Sequence, residues 1–289
     1  MPDDPSRDDR SLVIDSPTNP RIRAAVALRE RRDRDATGLT LVDGGREARR
    51  AIDAGVEVET AFVCAPLLTS EGAREAVHAL ARAQGKRDLV AVSQRAFEKL
   101  AYGDRSNGIV LVARPRVRGL ADLELPDEPL VVVTEDVEKP GNVGAILRSA
   151  DGAGADAVIA VGGTDLFNPN VIRASVGTVF SIPVVAAPID EVAAWLRERG
   201  LRIVATRVDS PTLHVDADLR GPVAVVLGSE AEGLSATWQG EGVTSIRLPM
   251  EGVADSLNVS AAAAVLLYEA WRQRRGHTPD TERTPQSGR

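Results

Sequence analysis

Short apolar runs recur along the second half of the chain, separated by segments with helical patterning. The run Leu130–Thr134 contains three consecutive valines and no charged residue. A strand without polar alternation is typical of parallel sheets, which are buried on both faces. Strands that alternate with helices of about 10–15 residues predict an α/β fold. The predicted strands are Leu130–Thr134, Ala157–Val161, Ile182–Val185, Leu201–Ala205, Val223–Leu227 and Thr244–Leu248, and the predicted helices are Gly144–Gly152, Asp190–Arg199 and Leu257–Arg274.

The first half of the chain follows a similar alternation on a smaller scale. Its predicted strands are Leu39–Asp43, Thr60–Cys64, Leu89–Ser93 and Ile109–Ala113, and its predicted helices are Arg21–Arg34, Arg46–Ala54, Glu71–Gln84 and Gln94–Leu100. The sequence therefore predicts a small N-terminal α/β domain, a proline-containing linker and a larger C-terminal domain. The predicted bounds are 1–11 for a disordered tail, 12–115 and 130–275 for the domains, 116–129 for the linker and 276–289 for a second disordered tail.

Formal charge is distributed unevenly between these two parts. Residues 11–118 carry 19 Lys and Arg against 14 Asp and Glu, whereas residues 119–289 carry 14 against 24. Such asymmetry suggests that the basic half binds a polyanion. The outer face of the predicted helix Arg21–Arg34 is either an ordinary solvated surface or a phosphate-binding arm. That face carries Arg21, Arg23, Arg29, Arg31 and Arg32.

Composition disfavours several classes of protein. Cys64 is the single cysteine, which excludes an intramolecular disulfide and a Cys-rich zinc site. No run approaches the roughly 18 apolar residues of a membrane span. The N-terminus also lacks the basic and apolar pattern of a secretory signal peptide. We therefore expect a cytoplasmic protein with no membrane partner and no metal.

A glycine-containing turn follows the strand Leu130–Thr134. Asn142 comes directly after Pro140 and Gly141, and the predicted helix that follows carries Arg148. Such a turn exposes backbone amides and lets a ligand approach the backbone closely. If Asn142 lies in the entry loop, Arg148 is close enough along the helix to reach the same cleft. The alternative is an Asn-capped helix with a surface arginine.

A second turn, containing Gly228, Ser229 and Glu230, follows the strand Val223–Leu227. Ligands of open α/β sheets bind just beyond the carboxyl ends of the strands. We expect Gly228 to let a flat ring lie against the backbone and Glu230 to point into the crevice. The alternative is an ordinary turn with a solvated glutamate.

The stretch from Leu248 to Tyr268 begins as a loop of Pro, Gly and small polar residues and continues as an Ala-rich helix. Because this helix is almost uncharged, we expect it to pack against protein. Ser256 is the expected N-cap of the helix, and Asn258 is expected to hold the loop. This stretch alone leaves open whether either residue has a further role.

Taken together, these motifs resemble those of the SpoU, or TrmH-like, class of the SPOUT RNA methyltransferases. The matching segments are Asn142–Arg148, Asn168–Ser175, Ile182–Val184, Leu227–Gly233, Leu248–Met250 and Ser256–Ser260. The N-terminal domain resembles the ribosomal-protein-like substrate-binding domain that often precedes this catalytic domain. Lys139, Leu248 and Asp43 depart from the residues common in the family, and none of the three belongs to the matched catalytic set.

The resemblance implies a SPOUT parallel sheet with a deep trefoil knot that encloses S-adenosylmethionine. Gly228, Leu248 and Leu257 would hold the adenosine of this methyl donor through backbone bonds and apolar contacts. The resemblance also implies a homodimer, in which the catalytic arginine faces the cofactor of the partner subunit.

The implied reaction is methyl transfer to a ribose 2′-hydroxyl. Arg148 matches the arginine that is proposed in the family as the base. Because an arginine side chain has a pKa of about 12.5 or higher, positioning of a phosphate is chemically easier, and both roles stay open. Asn142, Glu230, Ser256 and Asn258 match the remaining catalytic positions.

The implied substrate is RNA. The N-terminal domain favours large-subunit ribosomal RNA over transfer RNA, with Arg21, Arg23 and Arg173 as candidate RNA contacts. Two other interpretations compete with the enzyme: an inactive RNA-binding paralogue, and an ordinary nucleotide-binding enzyme such as a dehydrogenase. The second lacks support because no Gly-x-Gly-x-x-Gly turn follows an early strand.

Overall fold

The computed structural model describes residues 13–83, 89–101, 107–229 and 232–275. Their packing divides the chain into two compact units. Unit 1 contains the described residues up to Val117 together with Lys139–Gly144 and Asp165–Ser181, and unit 2 contains the others. The units thus interleave along the chain, and the bounds of the predicted domains stay predictions. The predicted tails, 1–11 and 276–289, lie outside the described residues.

Unit 1 is built on a four-stranded mixed sheet. Its strands are β1 (Thr40–Asp43), β2 (Glu57–Val63), β3 (Leu89–Ala91) and β4 (Ile109–Arg114), in the order β1-β4-β2-β3. Strand β4 is antiparallel to β1 and β2, while β3 is parallel to β2. The accompanying helices are α1 (Pro20–Ala27), α2 (Arg31–Thr37), α3 (Gly45–Asp53), α4 (Glu71–Ala83) and α5 (Gln94–Leu100). This small α/β arrangement confirms the predicted fold class of the N-terminal half.

The predicted helix Arg21–Arg34 is wrong, because the structure breaks this segment into α1 and α2. Arg34 explains the break. Its buried guanidinium donates to the carbonyl oxygens of Leu28 and Arg29, at 2.9 and 2.7 Å, and pairs with Asp165 of the same unit. These bonds satisfy carbonyl groups that are left unpaired where α1 ends.

Unit 2 is built on a six-stranded sheet in which every neighbouring pair is parallel. The strand order is β10-β8-β9-β5-β6-β7. The strands are β5 (Leu130–Glu135), β6 (Ala157–Val161), β7 (Val184–Ala186), β8 (Arg202–Thr206), β9 (Val223–Leu227) and β10 (Val243–Ile246). All residues of β5, β6 and β9 are buried. The predicted parallel α/β sheet is confirmed.

Four helices belong to this half of the sequence. They are α6 (Pro140–Ala153), α7 (Pro169–Ala174), α8 (Ile189–Glu198) and α9 (Val259–Arg275). The sequence prediction missed α7, a short helix in unit 1 with proline at its start and Asn168 as its N-cap. Within the described part of the chain, no helix is both long and apolar enough to cross a membrane.

Two helix starts differ from their predicted positions by two residues or more. Helix α6 begins at Pro140 rather than at Gly144, because proline at the first helical position already has a helical φ and needs no N–H partner. Asn142 therefore lies in the first turn of α6 and not in an entry loop. Helix α9 begins at Val259 rather than at Leu257.

Candidate functional site

The loops at the carboxyl ends of β8, β9 and β10 enclose, with the start of α9, a cavity of about 460 Å³ in unit 2. This is the edge at which open α/β sheets bind ligands. Four of the residues predicted for the site line the cavity. They are Gly228, Leu248, Ser256 and Leu257.

The wall of the cavity combines apolar side chains with polar and charged ones. Its apolar members include Leu227, Ile246, Leu248, Leu257 and Leu266, and its charged members are Arg207, Asp209, Glu232, Arg247 and Asp255. Apolar side chains that cover a ligand, together with polar groups that fix its orientation, are typical of a cofactor or small-molecule site. The arrangement suits a flat apolar ring linked to a polar or charged chain.

Gly228 is required by the backbone of its own loop. A Cβ atom at this position would overlap with the carbonyl group of Gly233 and crowd the backbone nitrogen of Leu234. The loop folds back tightly because the Gly233 N–H donates to the Ser229 carbonyl at 3.1 Å. Position 228 therefore requires glycine because the loop approaches itself so closely. From the sequence alone, we expect glycine there only to let a flat ligand ring lie against the backbone. Glu230 lies outside the described residues.

Asn258, and not Ser256, caps helix α9. Its Oδ1 accepts from the Ser260 backbone N–H at 3.0 Å and from the Ser260 hydroxyl at 2.6 Å. The predicted N-cap at Ser256 is therefore wrong, because the helix starts two residues later than expected. Ser256 lies in the loop that precedes α9, where it lines the cavity.

Arg148 and Asn142 lie six residues apart on α6, and this corresponds to a rise of about 9 Å and a turn of about 240° around the helix axis. The two side chains therefore project from different sides of α6. The Arg148 side chain is exposed and forms no hydrogen bond or ion pair with the residues that the structure describes. Neither Arg148 nor Asn258 is among the described residues lining the cavity, and Asn142 belongs to unit 1.

The arginines predicted to bind RNA have different surroundings. Arg21 and Arg23 are exposed, and Arg21 makes one long contact of 3.5 Å with the Thr60 hydroxyl. Arg173 lies 4.0 Å from the Asp43 carboxylate. The prediction that Arg29 lies on the outer face of the predicted helix Arg21–Arg34 is wrong. Arg29 is half-buried and donates to the carbonyl oxygens of Lys99, Leu100 and Ala101, where α5 ends.

The sequence prediction missed the cavity residues that follow β8. Arg207 donates through Nε to Asp209 at 3.2 Å and through Nη1 to the Leu234 carbonyl at 3.4 Å. Their position directly after the predicted strand Leu201–Ala205 was the available signal, since ligands gather at that edge. Among the described residues, no group of His, Cys, Asp and Glu is arranged to hold a metal ion.

Two family models match the chain. The model of the SpoU rRNA methylase family matches residues 129–268. The model of the MRM3-like substrate-binding domain matches residues 19–111. A curated relative, the 23S rRNA (uridine(2479)-2′-O)-methyltransferase of Streptomyces viridochromogenes, is 32% identical over 265 residues, which cover 86% of this chain and 87% of the relative.

Solved structures of similar proteins have the same architecture. The crystal structure of an RNA 2′-O ribose methyltransferase is 43% identical and superposes with a TM-score of 0.80, covering 91% of this chain and 99% of the other. The AdoMet-bound rRNA methyltransferase from Sinorhizobium meliloti is 29% identical with a TM-score of 0.80, covering 89% of this chain and 96% of the other.

Proposed function

Because the chain belongs to the SpoU rRNA methylase family, we propose that it transfers a methyl group from S-adenosylmethionine to a ribose 2′-hydroxyl of large-subunit ribosomal RNA. One observation carries the assignment. Gly228, Leu248 and Leu257, which come from three separate motifs that match the family's cofactor positions, line one cavity at the carboxyl edge of the parallel sheet.

The cavity fits the methyl donor in size and chemistry. Its volume of about 460 Å³ lies within the range of ligand pockets, about 300–1,000 Å³. Leu227, Leu248 and Leu257 offer apolar contacts for the adenine, and backbone groups around Gly228 offer hydrogen bonds. When bound, the donor would supply a methyl group carried on a sulfonium, and the rest of the donor would leave as the neutral thioether S-adenosylhomocysteine.

Arg148 is proposed to act on the RNA. In the reaction, the 2′-oxygen would gain the methyl carbon, the carbon–sulfur bond would break, and the hydroxyl proton would pass to solvent water. The exposed Arg148 side chain, which has no hydrogen bond or ion pair to the described residues, can hold an RNA phosphate and so orient the 2′-hydroxyl. A role as base remains the alternative. Asn142, Glu230, Ser256 and Asn258 stay proposed members of the catalytic set on family resemblance.

The substrate is proposed to be ribosomal RNA, bound through unit 1 with Arg21, Arg23 and Arg173 among its contacts. The basic balance of residues 11–118 and the match to a substrate-binding domain support this proposal. Isothermal titration calorimetry with S-adenosylmethionine, followed by methyl transfer to ribosomal and transfer RNA, tests it. Absence of cofactor binding would support an inactive paralogue, and label in transfer RNA would change the substrate.

A homodimer is proposed, with α9 at its interface. Val265 and Tyr268 are 41% and 51% exposed and lie three residues apart on one face of this helix. Neighbouring exposed apolar side chains on a helix face are a common sign of a protein interface. Val265→Glu should therefore yield a monomer in analytical ultracentrifugation. The control Val215→Glu, at another exposed valine of unit 2, should stay dimeric, and a dimeric Val265→Glu protein would contradict the interface.

The family's trefoil knot is proposed for the segment that ends in α9. Backbone bonds tie Arg247 to the loop after β8, where it donates to Thr212 at 2.9 Å and accepts from His214 at 3.0 Å. These bonds support a chain that passes closely beside that loop. A crystal structure traced continuously through this segment would test the knot. The RNA substrate supports a cytoplasmic location.

A further inference from the structure

Glu135, the last residue of β5, is a buried carboxylate with 5% of its surface exposed. Burying a charged group costs free energy unless hydrogen bonds compensate for the lost water. The Oε2 atom of Glu135 accepts a hydrogen bond of 3.0 Å from the backbone N–H of Ser235. The carboxylate therefore ties the loop after β9 to the end of the neighbouring strand.

Ser235 comes directly after residues that line the cavity. Glu232, Gly233 and Leu234 belong to the cavity wall, and the Leu234 side chain is buried in the core. Arg207, which follows β8, contacts the same point through its bond to the Leu234 carbonyl at 3.4 Å. The two charged side chains thus bind the N–H and the C=O of the same peptide group, the one that joins Leu234 to Ser235. Glu135 itself is not among the described lining residues.

We propose that Glu135 is a positioning residue for the cofactor cavity. By holding the Ser235 amide, it fixes Gly233 and Leu234, and through Gly233 it fixes the close approach to Gly228. A hydrogen bond to a charged group is stronger than one between neutral groups, so this bond sets the loop more firmly than a neutral acceptor would. The inference rests on the proposed function, because it takes the cavity as the S-adenosylmethionine site.

The test removes the acceptor and the donor separately. Glu135→Leu keeps the volume but removes the acceptor, and its Kd for S-adenosylmethionine should rise about tenfold. Glu135→Gln keeps an oxygen acceptor and should stay within about threefold of the wild type. Ser235→Pro removes the donor, and the φ of −64° at Ser235 already suits proline. Ser235→Pro should raise the Kd as much as Glu135→Leu does. The double variant Glu135→Leu/Ser235→Pro should bind S-adenosylmethionine no more weakly than either of these single variants.

Calorimetry on the full-length protein measures the affinities of the wild type and the four variants, and hydrogen exchange measures protection of the Ser235 amide where that amide is present. If the wild type and Glu135→Leu bind S-adenosylmethionine equally well, or if Glu135→Leu and Glu135→Gln lose the same affinity, the positioning role is wrong. The proposed function would stand in either case. Absence of binding by the wild type would instead overturn the proposed function and the inference with it. If Glu135→Leu fails to fold, Ser235→Pro is compared with Glu135→Gln. A higher Kd in Ser235→Pro than in Glu135→Gln supports the positioning role, and equal Kd values overturn it.

Discussion

Gly228 approaches Gly233 so closely that a Cβ atom at position 228 would overlap with the Gly233 carbonyl group. Gly228→Ala should therefore displace the loop and raise the Kd for S-adenosylmethionine about tenfold or more, since overpacking of this kind typically costs about 1–3 kcal/mol. Titration calorimetry measures the change. The control is Gly252→Ala, where an added Cβ would meet no atom within 4 Å. Unchanged affinity in Gly228→Ala would move the adenosine site elsewhere.

The cap of α9 gives a second prediction. Asn258→Ala removes the side chain that accepts from Ser260, and loss of an N-cap typically costs about 0.5–2 kcal/mol. Ser256→Ala should leave the free energy of unfolding within about 0.5 kcal/mol of the wild type. Urea unfolding of the two variants measures both values. A larger loss of stability in Ser256→Ala than in Asn258→Ala would contradict the assignment of Asn258 as the N-cap and favour Ser256.

Arg34 gives a third prediction, on stability. Arg34→Ala leaves the Asp165 carboxylate and two carbonyl groups without their donor, and breaking a buried ion pair costs about 3–5 kcal/mol. Arg32→Ala should cost less than about 0.5 kcal/mol, because the Arg32 side chain is 89% exposed. Thermal unfolding compares the two. Similar melting temperatures for both variants would contradict the role given to Arg34.

The carboxyl group of Glu47 should make the free energy of unfolding depend on pH. Burial raises the pKa of Glu47 above its ordinary value of 4.5, despite the opposing influence of its own backbone N–H and nearby arginines. Its contribution to stability is thus fully present below pH 4.5 and is lost as the pH rises through the folded-state pKa. Glu47→Gln should be more stable than the wild type near pH 7 and equal to it below pH 4.5. Urea unfolding at both pH values checks this, with the exposed Glu198→Gln as control, and an equal gain at both would contradict it.

Much of the fold could be predicted from sequence because the strands of unit 2 are mostly apolar, with charge only at the end of β5 and the start of β8. Ala157–Val161 and Val223–Leu227 have their predicted bounds in the structure, since a fully buried strand ends where polar or glycine residues begin. The break between α1 and α2 could not be predicted, because it depends on Arg34 and a partner 131 residues away in sequence. Helical periodicity within that segment carries no trace of this contact.

The candidate site was predicted in part for the same reason. Gly228, Leu248 and Leu257 belong to local motifs, and the sheet brings them together at one edge. Glu135 carries no local signal, because its role depends on Ser235, which is 100 residues away. The cap of α9 was assigned to Ser256 because sequence alone locates a helix end only within a few residues.

The central claim is that Arg148 serves methyl transfer to ribosomal RNA. The most direct test supplies S-adenosylmethionine with a labelled methyl group, and large-subunit RNA from cells that lack this gene. The wild type and the control Arg197→Ala, another exposed arginine of unit 2, should place label on a ribose 2′-oxygen. Arg148→Ala should lose about a hundredfold or more of this activity while its cofactor Kd stays within a few-fold. Full activity in Arg148→Ala, or label on a base instead of a ribose, would contradict the account.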